Sequence, residues 1–98
     1  MVRWTDRAEN KLVGIGLYIA RDKPKAGRLW VKKLRQRARD ASKMPSMGRV
    51  VPEIGRPDIR EVFLRSYRIV YRVVDRGIIV ISVSHGARLL VDVDPDDT

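Results

Sequence analysis

Apolar residues in the first part of the chain recur at the spacing of an α-helix. The spacings are four, three and four, which places one set of side chains on a single helical face: Ala8, Leu12, Ile15 and Ile19. Tyr18 extends this stripe. Asp6 followed by Glu9 resembles a capping box, so we expect Asp6 to cap the helix. Gly14 and Gly16 each weaken a helix by up to about 1 kcal/mol relative to alanine, which predicts close packing there.

A short break over residues 21–24 precedes a second helical pattern. Asp22 is placed to cap this helix, and Pro24 suits its first turn. The pattern continues from residue 25 to about residue 43, with an apolar stripe made of Ala26, Trp30, Leu34, Ala38 and Ala41. Because the break is short, we expect the two helices to form an antiparallel hairpin.

The apolar period changes to two after a loop that prolines and glycines punctuate at residues 45–57. Strands are predicted over residues 59–64, 67–74 and 78–84, with a further short strand at residues 2–4. In the second of these strands, Tyr67, Ile69, Tyr71 and Val73 share one face, with Arg68 and Arg72 on the other. We expect the tyrosines to pack against the helices together with Trp30 and Phe63. Two helices followed by antiparallel strands predict an α+β domain.

The size of the chain allows one domain, which we take to span residues 1–98. Its 21 Lys and Arg against 12 Asp and Glu give a net charge of +9. Residues 11–49 hold twelve basic residues and two acids, whereas the tail at 91–98 is acidic and we expect it to fray or to shield the basic surface. A basic body indicates an anionic partner, either nucleic acid or an acidic protein, although a well-solvated surface is the plainer alternative.

Composition also excludes several classes of protein. The chain has no cysteine and one histidine, so we expect no disulfide framework, no metal site and no cofactor. Its longest apolar run, residues 78–81, is far too short to span a membrane. The first residues turn polar at once, unlike a signal peptide. We therefore expect a cytoplasmic protein that does not associate with membranes.

Residues 64–73 (LRSYRIVYRV), followed by a turn, an apolar strand and residues 85–88 (HGAR), resemble the C-terminal half of toxins of the RelE/ParE superfamily. Residues 4–8 are similar to the opening strand and helix cap of that family, and residues 45–49 to the loop after its second helix. The resemblance covers nearly the whole chain. It implies two N-terminal helices packed on a small twisted antiparallel sheet, in a toxin that a cognate antitoxin neutralises.

Members of the superfamily have two different activities, and the resemblance assigns residues to one of them. RelE-like members cleave mRNA on the ribosome, and in that pattern Arg68 and Arg88 would stabilise phosphate charge. His85 would transfer a proton, since histidine is the residue type suited to proton transfer at neutral pH, or would simply bind the loop. Glu61 would be a base if it lay beside Arg68, and otherwise a surface partner of Arg60.

The chain departs from the nuclease pattern at two places. Arg60 and Glu61 stand where RelE-like members carry paired lysines, and no tyrosine or histidine follows Arg88. An arginine is a poor proton shuttle at neutral pH. The resemblance therefore favours the ParE-like branch, whose members inhibit DNA gyrase by binding it.

The remaining arginines of the sheet and loops are then candidate binding residues: Arg49, Arg60, Arg65 and Arg72. The alternatives are a metal-independent mRNA endonuclease that acts on the ribosome and a degenerate binding module. In each case we expect a toxin–antitoxin hetero-oligomer, with the antitoxin near Tyr18 and Trp30 or over the arginines. The basic helix of residues 23–43 would contact rRNA or DNA backbone, meet an acidic antitoxin segment, or remain hydrated.

Overall fold

The helices and strands follow one another in the order that the sequence predicts. A computed structural model of the chain describes residues 1–86 and 93–97. Its elements are β1 (Val2–Trp4), α1 (Asp6–Ala20), α2 (Pro24–Lys43), β2 (Arg49–Val50), β3 (Ile59–Leu64), β4 (Tyr67–Val74) and β5 (Gly77–His85), with a 3₁₀ turn at Pro45–Met47. Strand β2 lies within the predicted loop. The sequence does not reveal this strand, because two residues are too few to show an alternating pattern.

The five strands form one open sheet with the order β1-β5-β4-β3-β2. Strand β4 lies at its centre and is antiparallel to both β3 and β5, and β2 is antiparallel to β3. Strand β1 pairs with β5 in the parallel direction, so the sheet is mixed. The α+β class and the two helices packed on a small sheet are confirmed. Among the described strands, the parallel edge strand β1 departs from the wholly antiparallel sheet that was expected.

The main core lies between the helices and one face of the sheet. Tyr71 and Ile69 from β4 are fully buried here, against Leu12 of α1 and Leu34 of α2. Tyr67 and Val73 complete the face that the alternation predicts, as partly buried neighbours. Phe63 does not join them: it is 40% exposed and lies on the other face of the sheet, because β3 pairs it with Arg68. The prediction for Phe63 was wrong, whereas that for the tyrosines is confirmed.

A second, smaller apolar cluster lies on the sheet face away from the helices. Its buried members are Val51, Ile59, Val70, Ile79 and Ile81. Val51 and Ile54 come from the segment between β2 and β3, which therefore folds back over this face. Burial on both faces explains why β5 is apolar almost throughout, as strands covered on both sides are.

The two helices touch at glycines. A Cβ built on Gly16 would lie 2.6 Å from Cγ2 of Val31, and one built on Gly27 would lie 2.5 Å from the carbonyl oxygen of Gly16. The predicted close packing is thus present at Gly16 but not at Gly14, around which no atom lies within 4 Å. Gly27 was not anticipated, since its partner comes from the other helix.

Both predicted helix caps differ from those observed. Thr5, not Asp6, caps α1: its hydroxyl accepts a hydrogen bond from the Ala8 amide at 3.1 Å. Lys23 occupies the cap position of α2 without a side-chain bond, so Asp22 plays no such part. Threonine and aspartate are both good caps, and a one-residue choice between neighbours is beyond what the pattern resolves.

The acidic tail is described only in part, since residues 91, 92 and 98 lie outside the described residues. Val93 packs against the smaller apolar cluster, and Asp96 forms an ion pair with Arg56 at 3.0 Å. Neither helix combines the length and apolarity needed to cross a membrane, within the residues that the structure describes.

Candidate functional site

Arg68 lies at the centre of the sheet, on the face away from the helices. The register pairs it with Phe63 of β3 and Ser84 of β5. It belongs to the RIVYR segment that carries the family resemblance, and the alternation of β4 turns it away from the tyrosines. The residue is only 3% exposed. An arginine this deeply buried requires charged partners, because an unpaired buried charge is very costly.

Four charged residues meet at this position, and we call them the charge cluster: Arg49, Glu53, Glu61 and Arg68. Nε of Arg68 donates to one oxygen of Glu61, while its Nη1 and Nη2 each donate to a different oxygen of Glu53 at 3.0 Å. Arg49 donates to the other oxygen of Glu61 from the exposed edge strand β2. Among the described residues, two positive and two negative charges therefore meet here.

The hydrogen bonds of this cluster shift the ionisation of its members. The guanidinium of Arg68 holds the pKa of Glu53 below its ordinary value, against the opposing effect of burial. Burial alone would lower the pKa of Arg68, but its bonds to Glu53 and Glu61 more than offset that effect and raise it. Each partner thus stabilises the charged form of the other.

The cluster leaves Arg68 badly placed to bind a phosphate. All three guanidinium nitrogens donate to carboxylates, and two negative charges already surround the group. Glu61 does lie beside Arg68, which meets the condition set for a base, but it is 1% exposed and bonded by two arginines. The expected surface pair of Glu61 with Arg60 was wrong, since β3 places these neighbours on opposite faces.

His85 lies at the end of β5, exposed, on the other face of the sheet from Arg68. The register pairs it with Tyr67, whose ring it meets edge-on with centroids 5.1 Å apart. Its Nε2 is 3.0 Å from the hydroxyl oxygen of Ser66. Trp30 stacks obliquely on the other side of Tyr67, with centroids 5.1 Å apart. His85 thus joins an aromatic row rather than Arg68.

The third candidate for catalysis, Arg88, lies outside the described residues. The structure therefore brings none of the three together within the part that it describes: Arg68 and His85 occupy opposite faces. No group of three or more His, Cys, Asp or Glu side chains suited to a metal ion occurs among the described residues. The catalytic roles of Arg68, His85 and Arg88 remain predictions.

The four arginines predicted to bind a partner are spread over different surfaces. Arg65 lies exposed in the turn between β3 and β4 with a positive φ of 53°. Arg60 donates to the carbonyl oxygens of Gly48 at 2.9 Å and Pro57 at 3.1 Å. Arg49 belongs to the charge cluster. The Nε of Arg72 is buried without a hydrogen-bond partner in the described part of the chain. Only Arg49 and Arg65 are exposed.

Sequence reasoning missed two features. Glu53 lies in the predicted loop of residues 45–57, where no pattern marks it, although it forms the bidentate partner of Arg68. Val13, Leu17 and Tyr18 form an exposed apolar patch on α1, which we call the α1 patch; Leu17 and Tyr18 are 65% and 66% exposed. Tyr18 therefore does not extend the buried stripe. The spacing of Val13 and Leu17, four residues apart outside that stripe, was the available signal.

Comparison with known proteins agrees with this fold. A family model described as ParE toxin of type II toxin–antitoxin system, parDE, matches residues 2–90. A solved structure titled "Chromosomal ParDE TA system from P. aeruginosa" superposes with a TM-score of 0.72 at 17% identity, covering 88% of this chain and 95% of that chain. At this identity the likeness concerns the fold. No curated protein sequence matches.

Proposed function

Because this chain belongs to the family of ParE toxins of type II toxin–antitoxin systems, we propose that it inhibits DNA gyrase by binding it and that a cognate antitoxin neutralises it. Growth inhibition would then follow from a protein–protein contact and not from cleavage of RNA. We place this activity in the cytoplasm, where a toxin would meet gyrase. The antitoxin would form a hetero-oligomer with the toxin.

The observation that carries the proposal is the burial of Arg68 between Glu53 and Glu61. RNA cleavage requires cations that face the scissile phosphate and stabilise its developing charge. The guanidinium of Arg68, which donates to Glu53 and Glu61 from all three of its nitrogens, would first have to leave these carboxylates. His85, the one histidine, would act from the opposite face of the sheet. These positions favour a binding function over a nuclease.

The α1 patch supports a protein partner. Large apolar side chains exposed on neighbouring faces of one helix are typical of interaction surfaces, and an aromatic residue among them is the usual anchor. Val13 and Leu17 are one helical turn apart, and Tyr18 flanks Gly14, which leaves the backbone of α1 open to a close approach. We propose that the neutralising antitoxin covers this patch.

A supercoiling experiment tests the proposal. The purified chain is added to DNA gyrase with relaxed plasmid, and in parallel to a ribosome-dependent translation reaction in which mRNA 5′ ends are mapped. We expect lost supercoiling or trapped gyrase–DNA cleavage complexes, with intact message. Codon-positioned cuts that disappear in Arg88→Gln or His85→Gln, with gyrase unaffected, would establish the nuclease instead. No effect in either reaction would indicate a degenerate binding module.

The antitoxin contact has its own test, with the product of the gene next to this one in its genome as the candidate antitoxin. Leu17→Ser should weaken its complex with the chain by about tenfold or more, because an exposed anchor is removed. Leu29→Ser, the same change at an exposed leucine of α2 outside the patch, is the matched control. Equal losses for the two variants would contradict the proposed surface. Salt should weaken the complex mainly through its association rate.

A further inference from the structure

The outer face of α2 carries a row of basic side chains. The buried residues Leu34, Ala38 and Ala41 turn one side of the helix towards the core. With 3.6 residues per turn, five basic residues fall within an arc of about 60° on the opposite side. All five are exposed, and we call them the basic stripe: Lys25, Arg28, Lys32, Arg39 and Lys43.

The basic stripe differs in its partners from the other cations of α2. None of its members forms an ion pair with another residue in the described ranges 1–86 and 93–97. Other cations of α2 do have partners: Arg35 is paired with Glu9, and Arg37 donates to the carbonyl oxygen of Phe63 at 3.1 Å. The acid of this helix, Asp40, accepts a hydrogen bond from Gln36.

The stripe lacks the features of a protein interface. The centre of such an interface is apolar and depleted of charge. Within α2, which the structure describes in full, Leu29 is the only large apolar side chain that is exposed. The apolar residues exposed on α1, Val13, Leu17 and Tyr18, belong to a different element. The surface thus separates a patch suited to a protein from a stripe suited to a polyanion.

We propose that the basic stripe binds the sugar–phosphate backbone of duplex DNA. Its first and last residues are 18 positions apart, which at about 1.5 Å per residue makes a straight row about 27 Å long. Each strand of duplex DNA carries one phosphate for about every 3.4 Å of the axis, so a helix that follows one strand for this length has a phosphate within reach of each cation. Within the described residues the side chain of Arg39 donates to the neutral Oε1 of Gln36 and to no carboxylate. Long side chains that keep their full charge suit contacts that do not depend on base sequence.

This contact is separate from gyrase inhibition and does not rest on it. A toxin that also bound DNA would be concentrated on the nucleic acid. Nonspecific electrostatic binding has this effect on other basic proteins. DNA binding can be measured with neither gyrase nor antitoxin present, so a failure to bind DNA is distinguishable from a failure to inhibit gyrase.

The test is fluorescence anisotropy of a labelled 20-base-pair duplex of mixed sequence, titrated with the whole chain at several KCl concentrations. Five phosphate contacts predict a slope of about −4.5 in log affinity against log salt, or about 500-fold weaker binding from 50 to 200 mM. The double variant Lys32→Gln/Arg39→Gln should bind at least about tenfold more weakly at 100 mM and lose about two units of slope.

The double variant Arg3→Gln/Arg76→Gln is the matched control, since it removes the same charge from exposed residues of another part of the surface. Circular dichroism establishes that both variants are folded. We expect the control to bind as the wild-type chain does. An equal loss in the control would overturn the proposal, because it would attribute binding to net charge alone.

Two competitors decide the class of partner. Polyglutamate at equal charge should displace the duplex poorly, and single-stranded RNA should bind no more tightly than duplex DNA. Efficient displacement by polyglutamate would identify the stripe as a site for an acidic protein and overturn the proposal. A clear preference for RNA would overturn it as well, as would the absence of DNA binding at 50 mM salt.

Discussion

Arg68 and Glu53 form a bidentate ion pair, with both nitrogen–oxygen distances at 3.0 Å. The pair joins the central strand β4 to the segment between β2 and β3, and it closes that segment over the sheet face away from the helices. The arginine that most resembles a phosphate ligand in the sequence is therefore a structural residue in this arrangement. This relationship underlies both the proposed binding function and the first two predictions.

Replacing Arg68 by leucine should destabilise the fold by about 3–5 kcal/mol, because it leaves Glu61 buried with only the exposed Arg49 as a partner. Urea denaturation gives the free energy of unfolding. Combining Arg68→Leu with Glu61→Leu removes the stranded charge as well, and buried ion pairs replaced by apolar residues are often no less stable. The double variant should thus recover much of the loss. A double variant as unstable as the sum of the single changes would contradict this account.

The stability of the protein should decrease in acid partly through Glu53. The pKa of Glu53 is lowered in the folded protein by its bonds from Arg68. The group therefore contributes stability that is fully present above its unfolded pKa, about 4.3, and lost as the pH falls through the lower folded value. Urea midpoints measured from pH 7 to pH 3 should show this decrease.

Glu53→Gln isolates that contribution. It should lower stability at pH 7 by about 1–2 kcal/mol, since hydrogen bonds to a charged partner are weakened, and it should flatten the dependence on pH below 5. Asp75→Asn, at an exposed turn residue, is the control and should leave the acid limb unchanged. An unchanged slope in Glu53→Gln would show that other carboxylates carry the effect.

The sequence predicts those features that repeat along the chain. Strand β4 is recognisable because Ile69 and Tyr71 alternate with Arg68 and Arg72, and burial on one face imposes that period. The family resemblance rests on the same segment, so the fold can be recognised from the sequence.

Features that depend on one contact between distant residues leave no such pattern. Glu53 and Arg68 are 15 residues apart and meet because the loop folds back, so nothing in the local spacing marks them as partners. Nothing in the spacing around Gly27 marks it either, since a glycine is required there only because α1 packs closely against it. The α1 patch was overlooked because leucine and tyrosine in a helix are expected to face its core, and only the packing shows that they do not.

The hydroxyl of Tyr71 should contribute measurably to stability. It donates to the carbonyl oxygen of Pro45 at 2.6 Å and accepts from the Gly48 amide at 3.1 Å, and the residue is fully buried. Tyr71→Phe leaves both backbone groups without a partner, which should cost about 1–3 kcal/mol. Tyr18→Phe, the same substitution at an exposed residue, should change the free energy of unfolding by less than about 0.5 kcal/mol. Equal effects at the two positions would contradict the bonding described.

Adding one methyl group at two helical glycines should have opposite effects. In Gly27→Ala the new carbon would lie 2.5 Å from the carbonyl oxygen of Gly16 and 2.9 Å from Cβ of Ala20, so the helices must separate. We expect a loss of about 1–3 kcal/mol from overpacking. In Gly14→Ala the methyl group meets nothing within 4 Å, and alanine favours a helix over glycine by about 1 kcal/mol. Thermal unfolding should thus give a lower Tm for Gly27→Ala and a higher one for Gly14→Ala. If Gly27→Ala were as stable as the wild-type chain, the close approach of α1 and α2 at these glycines would be refuted.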